Sequence, residues 1–230
     1  MFFFRLNRIL IHSNFRHTIF KRRDKTDVEI YCFVTTGDRP LPSLKGLTAA
    51  TDDALKTEML KRAVRDAIDA RIFTPVENVK DEQMLTFGDT GFVIYEAEKI
   101  PDDFNFQLVL IGSRKKQRDS AKMWEGVLQD SEFAGFLQST SKLLNLATNP
   151  VLAAGSEIGK YLASFILRVY AEQHDDQLGL VYQSLNRMEH YPHGERKRDG
   201  NKDLTGNMEF DYSLFGFEKQ KKPKKDNVVG

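Results

Sequence analysis

The stretch F-N-F-Q-L-V-L-I-G, residues 104–112, decides how the rest of the sequence is interpreted. Every second residue from Phe104 to Leu110 is apolar, and this two-residue period is typical of a β-strand with one face in a core. A Pro-Asp-Asp sequence at residues 101–103 precedes the run and predicts a turn. We therefore expect residues 104–112 to form a central strand.

Other strand patterns lie on both sides of this segment. In residues 208–217, apolar side chains alternate with polar ones, which predicts a second core strand with one face towards solvent. Shorter runs rich in β-branched and aromatic residues predict the remaining strands. These runs are residues 3–12, 28–35, 84–87, 91–96 and 178–185.

Helical signals occur in two regions. In residues 51–72, apolar side chains recur at three- and four-residue spacing, which predicts a helix with one buried face. From residue 115 to 174 the strand pattern gives way to three predicted helices, with breaks near residues 130–131 and before Pro150. The order predicts a mainly-β fold, an antiparallel β-sandwich with a helical insertion. The alternative is a layered α+β sheet with helices on one face.

This organisation divides the 230 residues into four parts, and the length is enough for a core without disulfides. The last part holds five lysines around a proline and is expected to be a flexible basic tail. The parts are residues 1–114 with the first sandwich strands and helix 51–72, residues 115–174 with the helical insertion, residues 175–218 with the closing strands, and residues 219–230 with the tail.

Composition limits the class of protein. The formal net charge of +1 gives no general attraction to nucleic acid, so we expect a protein partner or a homo-oligomer instead. The 40% hydrophobic and 29% charged residues are typical of a globular domain. Cys32 is the only cysteine, so no internal disulfide can form. Its apolar neighbours predict a buried thiol.

The first residues bear on localisation. Arg5 and Arg8 interrupt the N-terminal apolar run, and no small-residue cleavage site follows, so a classical signal peptide is not predicted. No uninterrupted apolar run approaches the ~20 residues that a membrane span requires. We expect a cytoplasmic protein, or one exported without a classical signal. The same two arginines would make the outer face of an N-terminal strand positive, and they are candidate interaction residues.

A cluster of metal-ligand residue types precedes the last strand. Imidazole and carboxylate groups are ligands of zinc, so the cluster suits a metal-dependent hydrolase. Pro192 and Gly194 exclude the helix that gives His-Glu-x-x-His sites their geometry, which favours hydrogen-bonded turn residues over a metal site. The candidates are His190, His193, Glu195, Asp199 and Asp203.

Pairs of adjacent acids form a weaker candidate for a metal site. Calcium takes six to eight oxygen ligands, and acidic loops at one end of a sandwich would supply them. Each pair also has a structural interpretation, because aspartate is common in turns and at helix starts. The weaker candidates are Asp102, Asp103, Asp175 and Asp176.

Small residues recur every four positions in the last predicted helix. Gly155, Gly159 and Ala163 would lie on one stripe, where another backbone can approach closely. We expect close helix–helix contact at this stripe, within the insertion or with a second subunit. Conditional insertion of the helical segment into a bilayer, as in pore-forming proteins, is a further alternative.

Two resemblances add to this interpretation. Residues 191–199 and 203–213 together resemble a segment of uncharacterised bacterial proteins for which no activity is known. The predicted strand order is similar to that of calcium-dependent phospholipid-binding β-sandwiches of the synaptotagmin-like type. The second resemblance implies a sandwich that binds a membrane surface. This chain differs from that family in its long helical insertion and in having no D-x-D calcium loop.

The favoured function is a non-enzymatic binding or assembly module, acting at a membrane surface or in a larger protein complex. It rests on the absence of a complete catalytic motif, on the basic N-terminal strand and on the small-residue stripe. The alternatives are the metal-dependent hydrolase and the membrane-inserting protein. No cofactor is expected; the acidic pairs leave calcium, and the histidine cluster leaves zinc, as the alternatives.

Overall fold

A computed structural model of the chain describes residues 1–15, 17–18, 21–22, 25–37, 41–113, 120–191 and 193–218. It contains 40% strand and 35% helix, arranged as antiparallel sheets and several helices. The predicted fold class, strands with an added set of helices, is confirmed. The basic tail predicted at residues 219–230 lies outside the described residues.

Eleven strands and five α-helices are assigned in the described residues. The strands are β1 (Phe2–Ile11), β2 (His17–Thr18), β3 (Lys21–Arg22), β4 (Thr26–Thr36), β5 (Ile72–Val79), β6 (Gln83–Thr86), β7 (Phe92–Ala97), β8 (Asp103–Ser113), β9 (Asp176–Asn186), β10 (Gly194–Lys202) and β11 (Met208–Gly216). The helices are α1 (Asp53–Asp69), α2 (Ser120–Glu125), α3 (Phe133–Leu144), α4 (Pro150–Glu172) and α5 (Arg187–His190).

Sheet 1 has the strand order β10-β11-β1-β6, and β7 also pairs with β1. Buried and partly buried residues alternate along β1 as far as Leu6, as a strand with one core face requires. The register then shifts between Leu6 and Arg8, so that Ile9 and Ile11 return to the core face. The irregularity keeps every large apolar side chain except Phe3 and Leu10 inside.

Sheet 2 has the order β5-β4-β8-β9, with the fold-deciding strand β8 in its interior. Phe104 and Phe106 of β8 belong to the same core cluster as Met208 and Phe210 of β11. Both segments are thus core strands, as predicted, and their apolar faces meet in one core. The opposite face of β8 is also buried, since Val109 is fully inaccessible.

Helices cover that second face of sheet 2. The buried side chains of α1, α3 and α4 form a second core cluster with residues of β4 and β8. A sheet with two apolar faces must be covered on both. The helices therefore lie flat against the sandwich rather than projecting from it, and the layers are sheet 1, sheet 2 and helices. Neither of the two core clusters of the described residues lies on the outer face of sheet 1.

The small-residue stripe of α4 faces sheet 2, which corrects the expected helix–helix contact. A Cβ atom on Gly155 would lie 3.0 Å from Cβ of Thr35 in β4. A Cβ atom on Gly159 would lie 2.7 Å from Cδ of Gln107 in β8. Ala163 is fully buried. The stripe does allow a close approach, but the approaching element is a sheet of the same chain.

Two further predictions concern burial. Cys32 is 2% exposed, and burial raises the pKa of its thiol well above the usual range, so the predicted buried thiol is confirmed. Within the described part of the chain, none of the helices is both long and apolar enough to cross a bilayer.

Candidate functional site

The proposed zinc cluster is not brought together. His190 accepts a hydrogen bond at Nδ1 from the backbone N–H of Asn186, at 3.1 Å. His193 packs its ring edge against Phe217, with 5.1 Å between the ring centroids. Glu195 is exposed on β10, 3.9 Å from the ammonium of Lys197. In the described residues, no group of three or more His, Cys, Asp or Glu side chains is arranged to hold a metal.

Asp203, another of those candidates, organises a loop. Its carboxylate accepts backbone N–H hydrogen bonds from Leu180 at 2.9 Å and from Met208 at 3.0 Å. It also accepts from the N–H and the hydroxyl of Thr205. With both oxygens engaged and the residue 8% exposed, its lone pairs serve the backbone. Asp199, the remaining candidate, is exposed on β10.

The weaker acidic candidates lie at opposite ends of sheet 2. Asp103 begins β8 and pairs with Asn186, whereas Asp176 pairs with Gly112 near the other end of the same strand. At about 3.4 Å per residue, the two positions are roughly 30 Å apart. Asp102 and Asp175 adjoin these residues, so one calcium ion cannot use both pairs.

Arg5 and Arg8 both project from the outer face of sheet 1, but their environments differ. Arg8 forms an ion pair with Asp211, with Nε 2.5 Å from Oδ2. The guanidinium of Arg5 lies 5.4 Å from the centroid of the Phe3 ring, a cation–π arrangement. Its Nε is buried and has no hydrogen-bond partner among the described residues. Arg5 is therefore a cation positioned by an aromatic ring rather than by an acid.

The strand registers place an aromatic row beside Arg5. Phe3 of β1 lies opposite Phe215 of β11, and the neighbouring strands contribute Glu96 and Glu195 to the same row. The next row on the same face of the sheet carries positive charges instead of negative ones. It consists of Lys197, Ser213, Arg5 and Val93.

Aromatic rings form a continuous group on this face. The ring centroids of Phe3 and Phe215 are 6.2 Å apart, and those of Phe215 and Phe217 are 4.5 Å apart. Phe217 is 42% exposed. The outer face of a solvated antiparallel sheet is normally polar, so this group departs from the pattern. We call Phe3, Phe215, Phe217, His193 and Arg5 together the aromatic patch.

The two ends of the described chain stabilise the patch. Phe217 donates its backbone N–H to the carbonyl of Met1 at 2.7 Å, and the terminal amino group of Met1 donates to the carbonyl of Phe217. Beyond it, Glu218 accepts a hydrogen bond from Arg187. This hydrogen bond and the guanidinium charge hold the pKa of Glu218 below its usual value. The first and last strands thus fix the position of Phe217.

A separate polar cluster lies between sheet 2 and α4. The phenol of Tyr31 donates a 2.7 Å hydrogen bond to the Glu29 carboxylate, and Tyr170 donates to the same carboxylate. Burial, and after it the proximity of Tyr170 and Glu29, raises the pKa of Tyr31 far above its usual range. All three residues are at most 6% exposed, so the cluster connects two layers and is closed to a ligand.

The sequence interpretation missed the aromatic members of the patch, although a signal was present. The alternation in β11 that places Glu209 and Ser213 outside also places Phe215 and Phe217 outside. Three consecutive phenylalanines at residues 2–4 must direct one ring away from the core. Periodicity alone places these rings on the outer face of their strands. Only the fold shows that β1 and β11 lie side by side.

Comparison with known proteins adds no relative. No family model matches the chain, no curated protein matches its sequence, and no solved structure matches its fold. The resemblances to synaptotagmin-like sandwiches and to bacterial proteins therefore remain predictions.

Proposed function

We propose that the chain is a non-enzymatic assembly module that pairs with a second copy of itself through the aromatic patch. The observation that carries the proposal is the group of adjoining phenylalanine rings on the outer face of sheet 1, where Phe217 is exposed and Phe3 and Phe215 are partly exposed. Exposed apolar groups with a polar surround are typical of protein–protein contact sites. Aromatic residues and arginine are also the residue types enriched in the centres of such sites.

The distribution of charge favours a second copy as the partner. A two-fold symmetric interface places the same surface on both sides, so the surface must complement itself. The aromatic row ends in Glu96 and Glu195, and the adjacent row contributes Arg5 and Lys197. Acids of one copy can therefore meet cations of the other. The net charge of +1 produces little general repulsion between copies.

The outer face of sheet 1 is large enough for an interface between two copies. Strands β10 and β11 are nine residues long. Four strands about 4.8 Å apart, each nine residues at about 3.4 Å, give a face of roughly 19 by 31 Å, or about 600 Å² in projection. A standard interface buries about 800 Å² of accessible surface on each partner, which a corrugated face of this size can provide.

Sedimentation velocity tests the proposal. We expect the mass to rise from 26.4 kDa towards double that value as protein concentration increases from about 1 to about 100 μM. Phe215→Ser should shift this transition to at least about tenfold higher concentration, because loss of a buried interface aromatic typically costs more than about 1.4 kcal/mol. Leu146→Ser is the matched control, since Leu146 is 89% exposed in the helical layer.

Each result of the sedimentation experiment leads to a different conclusion. If the wild type stays monomeric throughout, the proposal is wrong. If Phe215→Ser and Leu146→Ser shift the transition equally, the chain self-associates through another surface and the patch is not responsible. Circular dichroism melts of both variants establish that each remains folded.

A further inference from the structure

A second surface, independent of the aromatic patch, lies at the free edge of β9. Sheet 2 ends at β9, so one side of this strand pairs with β8 and the other has no strand partner in the part of the chain that the structure describes. Alternate residues of an antiparallel strand direct their N–H and C=O groups to the same side. The groups of Leu180 point to the free edge, because its N–H donates to Asp203 and its C=O accepts from Leu204 at 2.8 Å.

The backbone groups of Tyr182, Ser184 and Asn186, which follow Leu180 at two-residue intervals, point to the same side. At the far end, Asn186 donates its N–H to Nδ1 of His190. Between these two fixed ends, the N–H and C=O groups of Tyr182 and Ser184 face the edge with no backbone partner among the described residues. The edge is thus open over a short window and closed on both sides of it.

A groove lies along that window. It has a volume of about 400 Å³ and is lined by residues 181–184 of β9 and residues 201–204 at the end of β10. The volume is of the order that a few residues of extended chain require. Because residues 201–204 form the opposite wall, the groove favours a single extended segment over the edge of a second sheet.

The other sheet edges carry features that discourage strand addition, and β9 does not. Charged residues make up six of the nine residues of β10. Strand β5 contains Pro75, which lacks an N–H, and the remaining edge is divided between the short strands β6 and β7. Charge, proline and short strands are the usual protections of a sheet edge. After Asp176, by contrast, β9 has no charged residue and no proline.

The charge of the groove favours an acidic ligand. Lys202 lines the groove and is exposed; it lies opposite Glu209 in the strand register, and no ion pair joins the two in the described residues. The acid in the wall, Asp203, already accepts hydrogen bonds at both oxygens. We propose that the groove binds an extended peptide segment of a partner protein, which adds as a strand to Tyr182 and Ser184 and places a carboxylate near Lys202. Main-chain pairing supplies the affinity in this mode of recognition.

The first test needs no ligand. Ser184→Pro removes an N–H that has no partner in this account, and proline is tolerated in edge strands where its nitrogen faces outward. Leu180→Pro removes an N–H that is bonded to Asp203. Each proline variant is compared with the alanine variant at the same position, Ser184→Ala or Leu180→Ala. In that comparison we expect Ser184→Pro to lower the melting temperature much less than Leu180→Pro does. Equal losses would mean that the Ser184 N–H is engaged, and the inference would be overturned.

The second test uses an acetylated, amidated peptide of sequence Thr-Val-Asp-Val-Thr-Val, followed by NMR. We expect a dissociation constant below about 1 mM and at least about tenfold slower amide exchange at Tyr182 and Ser184 in the saturated protein. A peptide N-methylated at its central residues should bind at least about tenfold more weakly, because the main-chain donors are lost. Lys202→Glu should also weaken binding.

Two results would overturn the inference. One is equal binding of the N-methylated and unmodified peptides, which would exclude strand pairing. The other is the absence of any amide perturbation at Tyr182 and Ser184 at saturating or near-millimolar peptide. Ser184→Pro does not alter the aromatic patch, so it should leave self-association unchanged, and the two proposals fail or succeed separately.

Discussion

Replacing Gly159 by alanine should destabilise the domain, although alanine is the better helix former. In a helix interior, alanine is favoured over glycine by about 0.5–1 kcal/mol. A Cβ atom at Gly159 would lie 2.7 Å from Cδ of Gln107, so the amide end of this side chain must shift, and at 2% exposure it must shift within the core. Overpacking of this kind costs about 1–3 kcal/mol. The net change is therefore between about zero and a loss of about 2.5 kcal/mol.

Gly135 is the matched control, because it lies in α3 and a Cβ atom there would meet no other atom within 4 Å. Gly135→Ala should stabilise the protein by up to about 1 kcal/mol. We therefore expect the two variants to differ by about 1–3 kcal/mol in free energy of unfolding. Urea denaturation followed by circular dichroism measures both, and unchanged m-values would support a comparison between native states.

A double-mutant cycle identifies the contact. Gln107→Ala removes the atoms that a Cβ at Gly159 would overlap, so Gly159→Ala should cost less, or should stabilise, in the Gln107→Ala background. If Gly159→Ala stabilises the wild-type protein as much as Gly135→Ala does, helix α4 does not pack closely on β8. The packing of the helical layer derived above would then be wrong.

Four more predictions concern particular side chains and the effect of a chelator. Phe106→Ala should cost about 3–5 kcal/mol in denaturant melts, because Phe106 is 1% exposed and contacts Phe4, Phe210 and Tyr212; a loss below about 1 kcal/mol would exclude a central position. Asp203→Ala should cost at least about 3 kcal/mol, because three backbone N–H groups lose their acceptor. A chelator should leave the wild-type melting temperature unchanged, and a large fall on chelation would restore the metal hypothesis. By NMR, the carboxyl group of Glu218 should titrate below its usual pKa, and Arg187→Ala should raise that pKa towards the usual value. Because folding lowers this pKa, the interaction with Arg187 stabilises the folded protein at neutral pH, and this stabilisation is lost as the pH falls through the lowered value.

The sequence was most informative about single strands and helices, whose own periodicity predicts them. The alternation in residues 104–112 predicted β8, and the three-and-four spacing after Asp52 predicted α1, whose first turn that side chain caps at the N–H of Ala54. Periodicity identifies the face that is buried but not the element that covers it. For this reason the stripe containing Gly159 was recognised as a contact surface, while its partner, β8, was not.

Residue type was least informative where hydrogen bonds decide the role. Asp203 and His190 have the chemistry of metal ligands, but backbone donors from β9 occupy them. For Asp203 this use depends on β9 lying beside its loop in space, whereas the donor to His190 is only four residues away in the chain. Likewise, the acidic pairs at Asp103 and Asp176 look equivalent in sequence, and only the register of β8 with β9 places them at opposite ends of the sheet.

The distance between two copies tests the central claim most directly. A nitroxide attached at Val93→Cys would lie on the outer face of sheet 1, and one attached at Leu146→Cys would lie in the helical layer; Cys32 is buried and should remain unlabelled. With layers about 10 Å apart, pairing through sheet 1 places the Val93 labels within about 30 Å of each other and the Leu146 labels roughly 50 Å or more apart. Pulsed electron–electron double resonance measures both distances. The account predicts this order, and the reverse order, or no dipolar coupling between copies at either position, would contradict it.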